Sequence, residues 1–181
     1  MHGTQARMSA VEVCDLPPGA LLAVYRERGA WTDCYTTTLT GEVSHVAFVE
    51  AFYTTRLFKL ERLILKWCLS RPSSDSLAAQ LAGGHIDTFA AWRVEGRAVD
   101  QLLLADVMGR TRSWLMTAAV EDHGRATTRL YFGSAVVPSP SAASGQASYG
   151  AVFRALLGFH KLYSRLLLRA ASARLAARLP S

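Results

Sequence analysis

The C-terminal run from Tyr149 to Leu179 carries one long apolar stripe. Val152, Ala155, Leu156, Phe159, Leu162, Tyr163, Leu166 and Ala170 recur at steps of three and four, the spacing that gathers side chains on one face of a helix. Arg154, Lys161, Arg165 and Arg169 fall on the opposite side, and Leu157, Leu167 and Leu168 flank the stripe and widen it. Arg174 returns to the apolar line, so the pattern predicts a single amphipathic helix whose tight packing ends near Ala173. Tyr163 is central on the side expected to be buried, where its hydroxyl needs a partner. His160 lies on the shoulder of the stripe.

The chain before this helix alternates differently. Residues 1–19 read as a flexible lead-in closing at Pro17-Pro18-Gly19, and residues 20–181 as a single domain. Leu21 to Leu39 is strand-like and broken by Gly29. Within it Trp31, Asp33, Tyr35, Thr37 and Leu39 share one face, and Thr32, Cys34, Thr36 and Thr38 the other. Ser44 is a helix cap by type. Helical spacing then runs from Val46 to Leu69, with Thr54-Thr55 as a point of bending or splitting and Arg71-Pro72-Ser73-Ser74 as a stop. Ser73 or Ser74 opens a short helix to about Ala82, ended by Gly83-Gly84. Four strand candidates follow: Ile86 to Arg97, Asp100 to Val107, Thr111 to Val120 and Arg125 to Val137. Tight connections make the last three an antiparallel meander, and Gly133-Ser134 marks a bend or a close backbone approach in the last of them. Pro138 to Ser148 reads as a mobile loop. Antiparallel strands with helices gathered on one face are α+β. A curved antiparallel sheet around a long C-terminal helix, with a helix pair between the first strand and the meander, is the helix-grip arrangement, which leaves a hollow between sheet and helix unless large side chains fill it.

Bulk properties narrow the picture. With 181 residues, 50% hydrophobic and 19% charged, the chain has the size and composition of one domain with a real core. No run approaches ~18 consecutive apolar residues, and Met1 to Ala10 has no signal-peptide pattern. Cys14, Cys34 and Cys68 are odd in number and form no C-x-x-C pair, which fits a reduced, cytoplasmic chain better than a disulfide scaffold. The net charge of +6 is unevenly placed, because no acid follows Asp122 while eight basic residues do. That basic face reads either as a solvated surface or as a contact for a partner protein or, peripherally, for a membrane. Without a nucleic-acid motif, no nucleic acid is expected.

Several segments, taken together, point to a known family. Phe89-Ala90-Ala91-Trp92-Arg93-Val94-Glu95, Leu102-Leu103-Leu104 and Gly109-Arg110-Thr111-Arg112-Ser113-Trp114-Leu115 are followed by Phe159-His160-x-x-Tyr163-Ser164-Arg165-x-Leu167-Leu168. Between about Trp31 and Ala171 the chain resembles a bacterial family of uncharacterised proteins, also found fused after short-chain-dehydrogenase-like domains. That family looks like a member of the START-like, polyketide-cyclase-like (SRPBCC) superfamily. The resemblance implies a helix-grip fold with a ligand cavity and no settled activity. There is no G-x-G-x-x-G for a nicotinamide cofactor, and no cofactor is expected.

Three constellations could carry chemistry. His160 and Tyr163 are neighbours on the helix surface: either a proton carrier with a hydroxyl donor, or a packing pair. Arg112, with Asp106 across a turn, is either an anion clamp facing a cavity or a cross-strand ion pair worth ~1 kcal/mol or less on a wet face. Trp92, Trp114, Tyr131, Phe132 and Phe159 are either cavity walls for a flat, greasy ligand or ordinary core. The ligand-binding set expected is therefore Trp92, Arg112, Trp114, Phe132, Phe159 and Tyr163, with His160 and Tyr163 as catalytic candidates. The scattered histidines suggest no metal site, and no G-x-S-x-G, H-E-x-x-H or P-loop occurs. The leading expectation is a small hydrophobic molecule bound between sheet and helix. A cyclase- or isomerase-type enzyme in the same cavity, and an interaction module using the basic helix face, are the alternatives.

Overall fold

A computed structural model of the chain describes residues 8–59, 74–122, 124–137 and 151–179; for 151–159 it describes the backbone alone. The elements are β1 (Glu12–Val13), α1 (Ala23–Glu27), β2 (Trp31–Thr40), α2 (His45–Tyr53), α3 (Asp75–Ala82), β3 (Thr88–Phe89), β4 (Trp92–Arg97), β5 (Gln101–Asp106), β6 (Thr111–Asp122), β7 (Arg125–Val136) and α4 (Ala151–Ala176). The strands form one curved, seven-stranded, antiparallel sheet in the order β1-β2-β7-β6-β5-β4-β3. This is the α+β arrangement that the element order predicts. Among the described residues no helix is long and apolar enough to cross a membrane.

Local chemistry explains most boundaries. The Ser44 hydroxyl accepts from the Ala47 N–H, and the Ser74 hydroxyl from the Leu77 N–H, both at 3.2 Å, so each cap satisfies a donor that its helix leaves orphaned. The α2 helix stops at Thr54-Thr55, as expected. There the Thr54 hydroxyl donates to the Glu50 carbonyl at 2.7 Å and the Thr55 hydroxyl to the Phe52 carbonyl at 3.0 Å, drawing on backbone acceptors of the last turn. The expected continuation to Leu69, with its stop, and the expected loop over 138–148 lie outside the described residues. The β5–β6 turn is closed by Asp106, whose carboxylate accepts from the Arg110 and Thr111 N–H groups at 2.7 and 3.2 Å. The stretch expected as one strand from Ile86 to Arg97 is instead a tight hairpin of β3 and β4. It reverses at Ala90, which takes a left-handed φ of 52°.

The register sorts residues into rows across the sheet. Asp33 pairs with Ser134 and Ser134 with Ser113; Cys34 pairs with Gly133 and Gly133 with Trp114; Tyr35 pairs with Phe132 and Phe132 with Leu115. Alternate rows face opposite sides. The Tyr35 row belongs to a core shared with α2, α3 and α4. The Cys34 row belongs to a second core on the other face, made with Leu16, Ala20, Leu22, Tyr25 and Ala30 from the N-terminal segment. Residues 8–19 therefore do not act as the expected lead-in. Ser9 N–H donates to Thr38, β1 pairs with β2, and Leu16 is buried. Leu21 to Ala30 is likewise not strand but a loop and α1 lying over the sheet. Both faces of β5 are covered, which is why Gln101 through Ala105 are all buried.

The terminal helix is rotated from the expected stripe. Its buried line is Ser164, Leu167, Leu168, Ala171, Ser172 and Leu175, while Leu162 and Leu166 are 58% and 44% exposed. Small residues, Ser164, Ala171 and Ser172, stand on this buried line, and the Ser172 hydroxyl is satisfied inside the helix by the Leu168 carbonyl at 2.8 Å. Packing also runs past Ala173. Arg174 donates to the Thr54 carbonyl at 2.8 Å, placing a cation at the C-terminus of α2, where the helix dipole favours it. Leu175 is buried beyond it. The apolar residues of this helix spread over so much of its circumference that periodicity alone left the buried side ambiguous.

Candidate functional site

The row Asp33–Ser134–Ser113 places short polar side chains under α4 where the neighbouring row places Tyr35, Phe132 and Leu115. Less volume there leaves a cavity of about 600 Å³ between the sheet, α4 and the chain after α2. Its walls include Phe52, Leu57, Phe58, Trp92, Phe132 and Val136 from the floor and sides, and Leu162, Tyr163, Leu166 and Leu167 from α4. Such a size and lining suit a small apolar molecule. The exposed Leu162 and Leu166 give the opening an apolar lip. Two buried polar atoms on wall residues, Trp92 Nε1 and Ser164 Oγ, have no hydrogen-bond partner among the described residues. An unpaired buried donor is costly, and a ligand oxygen could relieve either.

At one side of this cavity lies a hydrogen-bonded relay. Ser134 Oγ donates to Asp33 Oδ1 at 2.5 Å, and the same oxygen accepts from the Ser134 N–H at 3.0 Å. With its proton committed to Asp33, Ser134 Oγ is left to accept, and His160 Nε2 stands 2.7 Å from it. The neutral imidazole consistent with this carries hydrogen on Nε2 and leaves Nδ1 as its basic site. Asp33 Oδ2 is buried, has no hydrogen-bond partner within bonding distance among the described residues, and lies 3.7 Å from His160 Nε2, so a protonated His160 would be charge-matched. The Trp31 ring meets the His160 ring edge-on at 6.0 Å. The Tyr35 hydroxyl is pushed above its ordinary pKa, first by burial and then by the Asp33 charge.

The expected site residues separate accordingly. His160, Tyr163, Trp92 and Phe132 come together on the cavity. Phe159 lies in α4, its side chain outside the described residues. Trp114 is not a wall of this cavity: it is fully buried in the second core, on the other face, with its indole N–H donating to Gln101 Oε1 at 2.9 Å. Arg112 borders the cavity at its strand position, but its guanidinium serves other partners. It binds the Glu95 carboxylate at 2.5 Å, the Tyr25 hydroxyl at 2.9 Å and the Gly109 carbonyl at 2.9 Å, and lies over the Tyr25 ring at 4.6 Å. The ion pair is thus with Glu95 rather than Asp106, and the anion-clamp expectation gives way to a latch between β6, β4 and α1. Asp33 and Ser134 were missed as site residues. The signal for Asp33 was present, since an acid stood among Trp31, Tyr35 and Leu39 on one strand face.

A second cavity, about 390 Å³, lies along the edge of β2. Arg26, Lys161 and Arg165 line it, with Asp15, Asp33, Cys14 and Cys34. Arg165 also lies over the Tyr35 ring at 5.6 Å.

No family model, curated protein or solved structure matches this chain.

Proposed function

We propose that the protein is a helix-grip, START-like domain of the cytoplasm that binds a small hydrophobic molecule between its sheet and terminal helix. The observation that carries this reading is the cavity of about 600 Å³, walled by Phe52, Phe58, Trp92, Phe132 and Leu167 and entered past an apolar lip. Apolar burial of the ligand supplies affinity, and the Trp92 and Ser164 groups, which have no partner among the described residues, supply an anchor for one oxygen. An organic extract of the purified protein, read by mass spectrometry, should contain a co-purifying apolar compound. Nile red should bind saturably, and the double variant Leu162→Lys/Leu166→Lys should weaken that binding about tenfold, a loss near 1.4 kcal/mol. Both leucines are exposed, so thermal stability should hardly change. Undiminished dye affinity in the double variant would move the site elsewhere.

The Asp33–Ser134–His160 relay favours a second reading, in which the cavity also performs proton transfer of the cyclase or isomerase kind. His160 Nδ1 would take a proton from an acidic C–H of the ligand, Ser134 and Asp33 would hold the imidazole in the required tautomer, and Tyr163 would donate to a ligand oxygen. In deuterated water, the ligand recovered from the wild-type protein should gain deuterium at that carbon. His160→Gln should bind the ligand yet lose the exchange by a factor of about a hundred or more. Equal exchange in both proteins removes the enzymatic reading and leaves the binding one intact.

A further inference from the structure

The second cavity brings together features that the ligand-binding reading does not use. Cys14 Sγ and Cys34 Sγ are 3.2 Å apart, and the Cys14 N–H donates to the Cys34 carbonyl at 3.0 Å. That backbone bond holds the two residues as cross-strand neighbours, at a Cα separation of roughly 5.5 Å, inside the range a disulfide spans. Closing the bond requires the sulfurs to approach by about 1 Å. Cys14 is half-buried and Cys34 buried. Both line the cavity edged by Arg26, Lys161 and Arg165, none of which has an ion-pair partner among the described residues.

We infer that Cys14 and Cys34 form a redox-active dithiol, oxidised to a bridge by a small, carboxylate-bearing disulfide that docks against Arg26, Lys161 and Arg165. The two thiols are unequal. The Cys14 thiol is lowered from its ordinary value, first by its hydrogen-bond contact with Cys34 and further by Arg129, against burial and the charge of Asp15. Cys34 is pushed up by its bond to Cys14, by burial and by the Cys14 charge. Cys14 is also the more exposed of the two and the one an incoming disulfide reaches first, so it is the attacking thiolate. It forms a bond to one sulfur of the incoming disulfide, whose S–S bond breaks and releases one thiolate, which takes up a proton. Once Cys14 is capped, it no longer carries the charge that kept Cys34 protonated. Cys34 then gives up its proton and attacks Cys14 Sγ, and the second small thiol leaves. Two protein thiols become one disulfide, and one small disulfide becomes two thiols.

The test treats the reduced full-length protein with glutathione disulfide, which is anionic, or with hydroxyethyl disulfide, which is uncharged. Peptide mapping should join Cys14 to Cys34, with the chain lighter by two hydrogens. Glutathione disulfide should react at least tenfold faster than the uncharged reagent, relative to their rates with a free model thiol. Added salt or the variant Lys161→Ala/Arg165→Ala should abolish that advantage. In Cys34→Ser the reaction should stop at Cys14, which then carries one glutathione. A bridge that maps to Cys68, or a Cys14–Cys34 pair that stays reduced with both reagents, overturns the dithiol. Equal relative rates with the two reagents overturn the anion-docking half.

Discussion

Replacing Trp114 by Ala should remove about 3–5 kcal/mol of stability, the cost of deleting a fully buried large aromatic side chain. Against a typical total of ~5–15 kcal/mol, the variant would be marginal at best. The indole is inaccessible to solvent and lies 6.3 Å from the Tyr131 ring. Its loss leaves a void in the middle of the second core, and Gln101 Oε1 loses the indole donor while keeping the Leu21 N–H at 2.9 Å. Urea unfolding followed by circular dichroism reads the change. Nile red affinity of the folded fraction should be unaltered, because the indole is on the other side of the sheet from the cavity. A loss below about 1 kcal/mol, or a changed dye affinity, would mean that Trp114 is a wall of the cavity after all.

Gly133→Ala should be the next most damaging change, for the opposite reason. A Cβ there would stand 2.9 Å from Leu22 Cδ2, 3.0 Å from the Asp33 carbonyl oxygen and 3.0 Å from Trp114 Cε3. Leu22 can rotate, but the Asp33 carbonyl belongs to the paired strand and the indole is held by Gln101. Relief requires β2 and β7 to separate at the pair that also aligns Ser134 with Asp33. Overpacking of this kind costs about 1–3 kcal/mol. The same unfolding measurement checks it, and crystallography of the variant should show the Ser134–Asp33 hydrogen bond lengthened. A variant as stable as the wild type would show that the second core is loosely packed around that glycine.

How much of this was legible in the sequence depends on whether one strand or several decide the outcome. Face alternation within a strand was readable. Asp33 does share a face with Tyr35 and Leu39, Arg112 shares one with Trp114, the Ser44 cap is recognisable by type, and the second cap is legible to within Ser73 or Ser74, of which the structure uses Ser74. Which face of β6 looks toward α4 was not readable, because the answer lies in a cover supplied by residues almost a hundred positions earlier. The expectation that Trp114 lines the cavity fails for that reason. The apolar run Leu102-Leu103-Leu104 held the missing information, since a strand buried on both faces needs two covers. The close approach expected at Gly133-Ser134 is present, yet its agents, Leu22 and Trp114, come from two other elements. The Cys14–Cys34 contact has no spacing signature at all. It follows only from the pairing of β1 with β2, and the relay through Ser134 only from the pairing of β2 with β7.

The N-terminal cover carries a practical consequence for anyone handling the polypeptide. It is fastened by the side-chain amide of Gln101, which accepts from the Leu21 N–H and the Trp114 indole and donates to the Gly19 carbonyl. Clipping the chain after Ala30 would strip that fastening and lay Leu103, Trp114 and Tyr131 bare on the broad side of a sheet, a surface that sticks to its own copies. Tags and fusion partners therefore belong ahead of Met8, and a fragment cut to the strand-and-helix region alone would belong in the pellet.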